Sequence, residues 1–329
     1  MRQAQIPALR DAGSWCRRRL PVLLLCLLLA AGCSSEDAAD ESASTTAEAV
    51  EVAPSSSSEA PLPTEAEAAT TTTEESPEPV ELCMETSLGE RCWLQLDPPS
   101  DGPAPLVVDI HAWTLSARTQ FLASGMDIVA GEAGAIVVYP DSPDSSWNAG
   151  ICCNPARDEG RDDVLAIVEI VDRVIEQGDI DSSRVYLTGF SNGCALAQGV
   201  LDRFGDRFAA GACVGDFLAL EPVADPVPAP FLQLHSIDDN EVPYEGSTFQ
   251  GYLDPGAVAN FETWADRNGC SGQSLEKVVG DRTWVEAEGC DAPVVHVRVE
   301  GKGHEARFFF EDGSSSTELM WEFLSQVSL

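Results

Sequence analysis

Lysine is nearly absent from this sequence, with Lys277 and Lys302 the only two in 329 residues. Lysine and arginine together number 19 against 55 acidic side chains, for a formal net charge of −36. Such a surface repels polyanions, which excludes nucleic acid as a partner. The acidity reads as a solubility or salt adaptation of the whole surface and names no ligand. Histidine is scarce as well: His111, His235, His296 and His304 are the only four. None lies at ligand spacing from the cysteines, so no zinc site is expected, and neither a metal nor a cofactor is implied. A long apolar run is also missing. The longest, Leu20 to Ala31, holds about a dozen residues where a membrane-spanning helix needs about 20.

That run has the shape of a secretory signal. Arg2, Arg10 and Arg17-Arg18-Arg19 precede it, and Leu29-Ala30-Ala31-Gly32-Cys33 closes it. The closing segment resembles a bacterial lipobox, in which the chain is cut before the cysteine and lipid is placed on its thiol and new amine. Ala30 stands where leucine is more usual. Residues 1–32 are therefore expected to be a lipoprotein-type signal peptide. The chain is expected to be exported, and either held by lipid at Cys33 on the extracytoplasmic side of a bacterial membrane or secreted. The arginines form only a poor twin-arginine signal, which leaves the export route open. Residues 33–82 are dominated by Ser, Thr, Ala, Glu and Pro, and Ser34 to Glu81 has no Lys, Arg or aromatic residue. So little apolar surface cannot offset the entropy of ordering, so the segment reads as a disordered acidic tether. Residues 83–329 read as one domain.

Cysteine usage agrees with export. Cys16 and Cys26 leave with the signal and Cys33 goes to lipid, which leaves eight. An even set in an exported chain suggests disulfides, and eight cysteines allow 105 pairings. Cys83 with Cys92 and Cys270 with Cys290 are the local pairs. Cys152 and Cys153 are adjacent and are expected to reach separate partners, Cys194 and Cys213.

Within the domain, short β-branched runs alternate with helical patterns. Leu106 to Ile110, Ala135 to Tyr139, Val185 to Thr188, Phe231 to Leu234 and Val294 to Val299 read as strands. Arg118 to Ala130, Asp163 to Glu176, Asn192 to Phe204, Val258 to Arg267 and Thr317 to Gln326 read as helices. The alternation predicts an α/β domain with a mostly parallel central sheet and helices on both faces. In such sheets chemistry gathers at the C-terminal strand ends.

Gly189-Phe190-Ser191-Asn192-Gly193 matches G-x-S-x-G between a predicted strand and a predicted helix. Its glycines permit the strained turn that exposes a serine Oγ, as in the α/β-hydrolases. A serine there needs a base, oriented by an acid, in the chain order Ser, acid, His. His304, in the loop Gly301-Lys302-Gly303-His304 after the last strand, is the one histidine in the right place. His111 and His235 precede the acid, and His296 lies within a strand. The loop after Leu234 offers both Asp238 and Asp239, which composition does not separate. The N–H of Asn192 and one from the loop His111-Ala112-Trp113 are candidates for an oxyanion hole. Asp162-Asp163 reads as a helix cap.

From about Pro105 to Gly303 the sequence resembles the esterase family of polyhydroxybutyrate depolymerases, feruloyl esterases and acetylxylan esterases. The matching pieces are Trp147 to Cys153, Asp162-Asp163-Val164, Asp181 to Tyr186, Gly189 to Gly193, His235 to Tyr244, and Asn268-Gly269-Cys270. The resemblance implies an acid three residues before Val242-Pro243-Tyr244, hence Asp239, and a base at His304. It implies an α/β-hydrolase fold and a serine carboxylic-ester hydrolase working through an acyl-enzyme. The oxyanion donors would be Asn192 and Trp113. Trp147 and His111 are candidate substrate contacts, although packing is the plainer role for Trp147. Expected substrates are small or oligomeric esters, above all feruloyl or acetyl esters of carbohydrate, with a polyhydroxyalkanoate as alternative. A non-catalytic surface binding lipoprotein on the same fold is the alternative of another class. This chain departs from the family in having Ala112 after His111, where glycine is usual. It also has Glu305-Ala306-Arg307 after His304, where an aromatic and a proline are common. The acyl and alcohol pockets stay unassigned, and oligomeric state is not legible.

Overall fold

The computed structural model describes residues 78–249 and 251–329. The expected signal 1–32, the lipid site Cys33 and nearly all of the tether lie outside them. Strands β1 (Val80–Thr86) and β2 (Gly89–Leu96) form an entry hairpin before β3 (Ala104–Ile110). Helices α1 (Ala117–Ser124) and α2 (Met126–Glu132) lead to β4 (Ile136–Pro140). The short α3 (Ala156–Glu159) and long α4 (Asp163–Gln177) lead to β5 (Ile180–Phe190). Then come α5 (Asn192–Arg203), β6 (Ala210–Val214), β7 (Phe231–Ser236) and a small hairpin of β8 (Ser247–Phe249) and β9 (Tyr252–Asp254). After α6 (Ala257–Arg267), β10 (Leu275–Val279) and β11 (Arg282–Glu286) pair, β12 (Val294–Val299) re-enters the sheet, and α7 (Ser316–Leu324) follows.

Ten strands form one sheet in the order β1-β2-β4-β3-β5-β6-β7-β12-β11-β10. The six central strands, β4 to β12, are parallel, and an antiparallel pair flanks each side. Every residue of β3, β4, β6 and β7 is buried, as strands covered on both faces must be. One face carries α4, α5 and α6. There Val164, Ile167, Val168, Val171 and Val174 of α4 form an apolar stripe packed with Leu196, Phe261 and Trp264. The other face carries α1, α2 and α7, with Phe121, Met126, Leu319 and Leu324 in a second cluster. Each fully buried aliphatic or aromatic side chain contributes roughly 1.5–3 kcal/mol.

The expected helix from Arg118 to Ala130 is two helices. Gly125, at φ 67°, caps α1 in the left-handed region and turns the chain into α2. A Cβ there would stand 2.2 Å from Nη1 of Arg307, so the break is also a docking point. The chain enters the sheet upstream of the expected boundary at Cys83, since Val80 already pairs with Gln95.

Four disulfides are formed among the described residues. Cys83–Cys92 joins residues directly opposite in the entry hairpin, and Cys270–Cys290 closes the loop after α6. The other expected pairings are corrected. Cys194 at the start of α5 faces Cys213 on neighbouring β6, their Cα atoms 5.2 Å apart, and the two bond each other. Cys152 and Cys153, left without them, bond to one another. Among the described residues no helix is long and apolar enough to cross a membrane, and no group of three His, Cys, Asp or Glu could hold a metal ion.

Candidate active site

Strand β5 delivers Ser191 into the turn before α5. Its backbone sits at φ 51° and ψ −125°, a conformation few non-glycine residues adopt, which is held because the chain must reverse within one residue. Both glycines of the motif are required by close approach. A Cβ on Gly189 would lie 2.7 Å from the Gly193 carbonyl, and one on Gly193 would lie 2.1 Å from the carbonyl oxygen of Ile110. The elbow is thereby pressed against the end of β3 and the loop that follows it.

That loop is fixed by a neutral histidine. His111 is fully buried, its Nδ1–H donates to the Ala112 carbonyl at 2.8 Å, and its Nε2 accepts from the Ser142 N–H at 3.3 Å. Burial lowers its pKa, in keeping with this neutral tautomer. With the Ala112 carbonyl held toward His111, the planar trans peptide turns the Trp113 N–H the opposite way. Asn192 is clamped as well. Its Oδ1 accepts from the Trp147 N–H at 2.9 Å and its Nδ2 donates to the Trp147 carbonyl at 3.2 Å. As the first residue of α5, Asn192 has an N–H without an intrahelical acceptor.

The loops after β7 and β12 bring the candidate acid and base together. Nδ1 of His304 lies 2.7 Å from Oδ2 of Asp239. Oδ1 of Asp239 accepts the N–H groups of Glu241, at 2.9 Å, and Val242, at 2.8 Å. Burial pushes this carboxyl up, but the His304 hydrogen bond and the Val242 N–H outweigh it, leaving the pKa below the usual carboxylate value. Asp238 points elsewhere: it is exposed and accepts from the Gly301 N–H at 2.7 Å. His235 is buried behind Asp239, its Nε2 donating to the Val242 carbonyl at 2.8 Å. Gly215 leaves room for the pair, since a Cβ there would come within 3.4 Å of the His304 ring.

Ser191, Asn192, Trp113 and His304 all line one cavity of about 420 Å³. Trp113 stands at 41% exposure with its indole N–H donating to the Asn154 carbonyl. The two candidate substrate contacts do not reach this space. Trp147 is fully buried, donates to the His111 carbonyl at 2.9 Å and packs on the His111 ring at 4.8 Å. Both are scaffold beneath the loop, because each spends its polar atoms on backbone groups. Two features of the cavity carry no signal in the sequence. One is the Cys152–Cys153 pair in its wall, and the other is a set of carboxyl groups at Asp216, Glu241 and Asp254.

Residues 95–219 match the family model described as Esterase PHB depolymerase. The chain is 29% identical over 245 residues to feruloyl esterase B of Piromyces equi, covering 70% of this chain and 43% of that protein. It is 24% identical over 237 residues to the bifunctional acetylxylan esterase/xylanase XynS20E of Neocallimastix patriciarum, covering 68% and 31%. The resemblance is to the PHB-depolymerase esterases. The chain spans less than half the length of either of these esterase relatives. A solved acetyl xylan esterase from Aspergillus awamori superposes with a TM-score of 0.54 at 15% identity, covering 75% of this chain and 99% of that one. This likeness is one of fold: a mostly parallel sheet between helices, the α/β-hydrolase architecture.

Proposed function

We propose that this protein is a serine carboxylic-ester hydrolase acting through an acyl-enzyme. Its substrates on this reading are feruloyl or acetyl esters of carbohydrate, or other small esters. The observation that carries the proposal is the 2.7 Å contact of Asp239 with His304, whose ring faces the same cavity as Ser191. Asp239 holds the proton on Nδ1, which leaves Nε2 free to take the Ser191 proton as Oγ attacks the ester carbonyl. The N–H groups of Asn192 and Trp113 receive the oxyanion. The alcohol leaves with the proton from His304, and water, activated by the same imidazole, frees the acid.

Hydrolysis of p-nitrophenyl acetate and methyl ferulate by the full chain, with covalent capture of Ser191 by a fluorophosphonate, tests this reading. Turnover and labelling are expected together. A folded protein showing neither would turn the assignment to a binding module on the same fold. The match to the PHB depolymerase model favours, as a second reading, a polyester of hydroxyalkanoic acids, and release of soluble acid from polyhydroxybutyrate granules would support it. Four disulfides among the described residues accord with an exported protein. On our reading Cys33 carries the lipid that anchors it. Palmitate incorporated in cells should then vanish in Cys33→Ser, and equal labelling of the variant would refute the anchor.

A further inference from the structure

The carboxyl groups in the cavity are not used by the chemistry above. Asp216 follows β6 on a loop built with unusual care. Its carbonyl accepts from Nε2 of Gln198 at 3.1 Å and Nε2 of Gln233 at 3.4 Å. Asn260 donates to Oε1 of both glutamines, at 2.9 and 3.0 Å, and accepts the Leu218 N–H at 2.9 Å. These three amides are 0–2% exposed, so a satisfied buried network fixes the loop. Asp216 itself is 8% exposed and lines the cavity. Its Oδ1 accepts the Phe217 N–H at 2.9 Å, while Oδ2 has no hydrogen-bond partner among the described residues. Asp254, 5% exposed, also lines the cavity and is held by the Gly256 N–H at 2.9 Å. No lysine or arginine lines it.

Oδ2 of Asp216 is thus left for solvent or for a ligand entering the cavity, and a ligand beside these carboxyl groups would be neutral or cationic. We propose that Asp216, with Asp254 beside it, forms a specificity-determining floor that binds a hydroxyl group on the acyl part of the ester. This rests on the esterase reading above. In this proposal the acyl part occupies the cavity beside Ser191, and the alcohol lies towards the partly exposed Trp113. Burial pushes Asp216 up to about 7 and raises Asp254. Near neutrality Asp216 is therefore present both as acid and as carboxylate. A hydroxyl suits both states, because it donates to the carboxylate and accepts from the acid, whereas an ammonium suits only one.

The test compares kcat/KM for matched esters on the full chain. One pair is methyl 4-hydroxycinnamate against methyl cinnamate, and the other is methyl 3-hydroxybutyrate against methyl butyrate. The aromatic and aliphatic arms separate the two sources of such a hydroxyl. A preference of fivefold or more for the hydroxylated member is expected in at least one pair, and Asp216→Ala should bring that ratio below twofold. Asp216→Asn, of equal size, is read by its ratio too should the alanine variant not fold, and is expected to lower it at least twofold. Ratios under fivefold in both pairs for the parent would overturn the proposal. So would a ratio that Asp216→Ala leaves intact, or a stronger preference for methyl 3-aminobutyrate. Turnover of p-nitrophenyl acetate by the parent keeps these outcomes apart from failure of the esterase reading itself.

Discussion

Ser191→Ala is expected to lower kcat by about 10⁵–10⁶, the scale seen when the nucleophile of a serine triad is removed. The size of the loss follows from what the variant retains. The N–H groups of Asn192 and Trp113 belong to the backbone, and the clamp between Asn192 and Trp147 does not involve the serine hydroxyl. On the proposed mechanism, oxyanion stabilisation and substrate binding are therefore expected to survive, and such remnants support roughly 10³–10⁴ over the reaction in water. What disappears is the covalent route, so hydrolysis can proceed only by direct attack of water. Folding is expected to hold, because among the described residues no hydrogen bond of the elbow runs through Oγ. The Ser191 N–H still donates to the Val214 carbonyl at 2.9 Å, and alanine tolerates φ 51° no worse than serine does. Steady-state kinetics with p-nitrophenyl acetate, beside a thermal melt, measures both. A variant with a native melt and more than a tenth of parent activity would remove Ser191 from the mechanism.

What was legible in the sequence was whatever depends on local pattern. The parallel strands are runs of β-branched residues because both their faces are covered, and the elbow is visible because its two glycines are imposed by backbone contact. Strand β6 was not legible, since Ala210-Gly211-Ala212-Cys213-Val214 carries small residues. They are small because neighbouring helices lie close: a Cβ on Gly211 would come within 2.9 Å of the Leu201 side chain. The outer strands β1 and β10 mix apolar with charged residues and have no buried position, so no continuous apolar run marks them. Site residues divide in the same way. Only the family resemblance separates Asp239 from Asp238 in the sequence; in the structure Asp239 accepts from Glu241 and Val242 and meets His304, contacts that Asp238 lacks. Asp216 and Asp254 were invisible because nothing in their neighbourhood along the chain marks a cavity. They become a pair only when loops distant in sequence are folded over the same space. The cysteine pairings failed at Cys152 and Cys153 for a related reason, as the proximity of Cys194 to Cys213 is a fact of strand order.

Asp239→Asn is expected to lower kcat by about 10⁴ with KM little changed, the loss associated with a base held in the wrong tautomer. The direction is set by the two backbone donors. Oδ1 of Asp239 accepts from Glu241 and Val242, so an asparagine must place its carboxamide oxygen there to avoid setting an N–H against two N–H groups. Its NH₂ then faces Nδ1 of His304, where Oδ2 stood at 2.7 Å. Nδ1 must now accept a hydrogen bond, the ring proton moves to Nε2, and the nitrogen that should take the serine proton is already occupied. The geometry of the loop is otherwise preserved, which is why binding should persist while turnover falls. Asp238→Asn is the matched control, one residue away. Its parent carboxyl is exposed and meets the Gly301 N–H, so kcat within about threefold of the parent is expected, as for a surface substitution. Equal losses from the two variants would mean that the loop, and not the Asp239–His304 contact, controls activity. A large loss confined to Asp239→Asn, with melts unchanged, would tie the rate to the tautomer of His304.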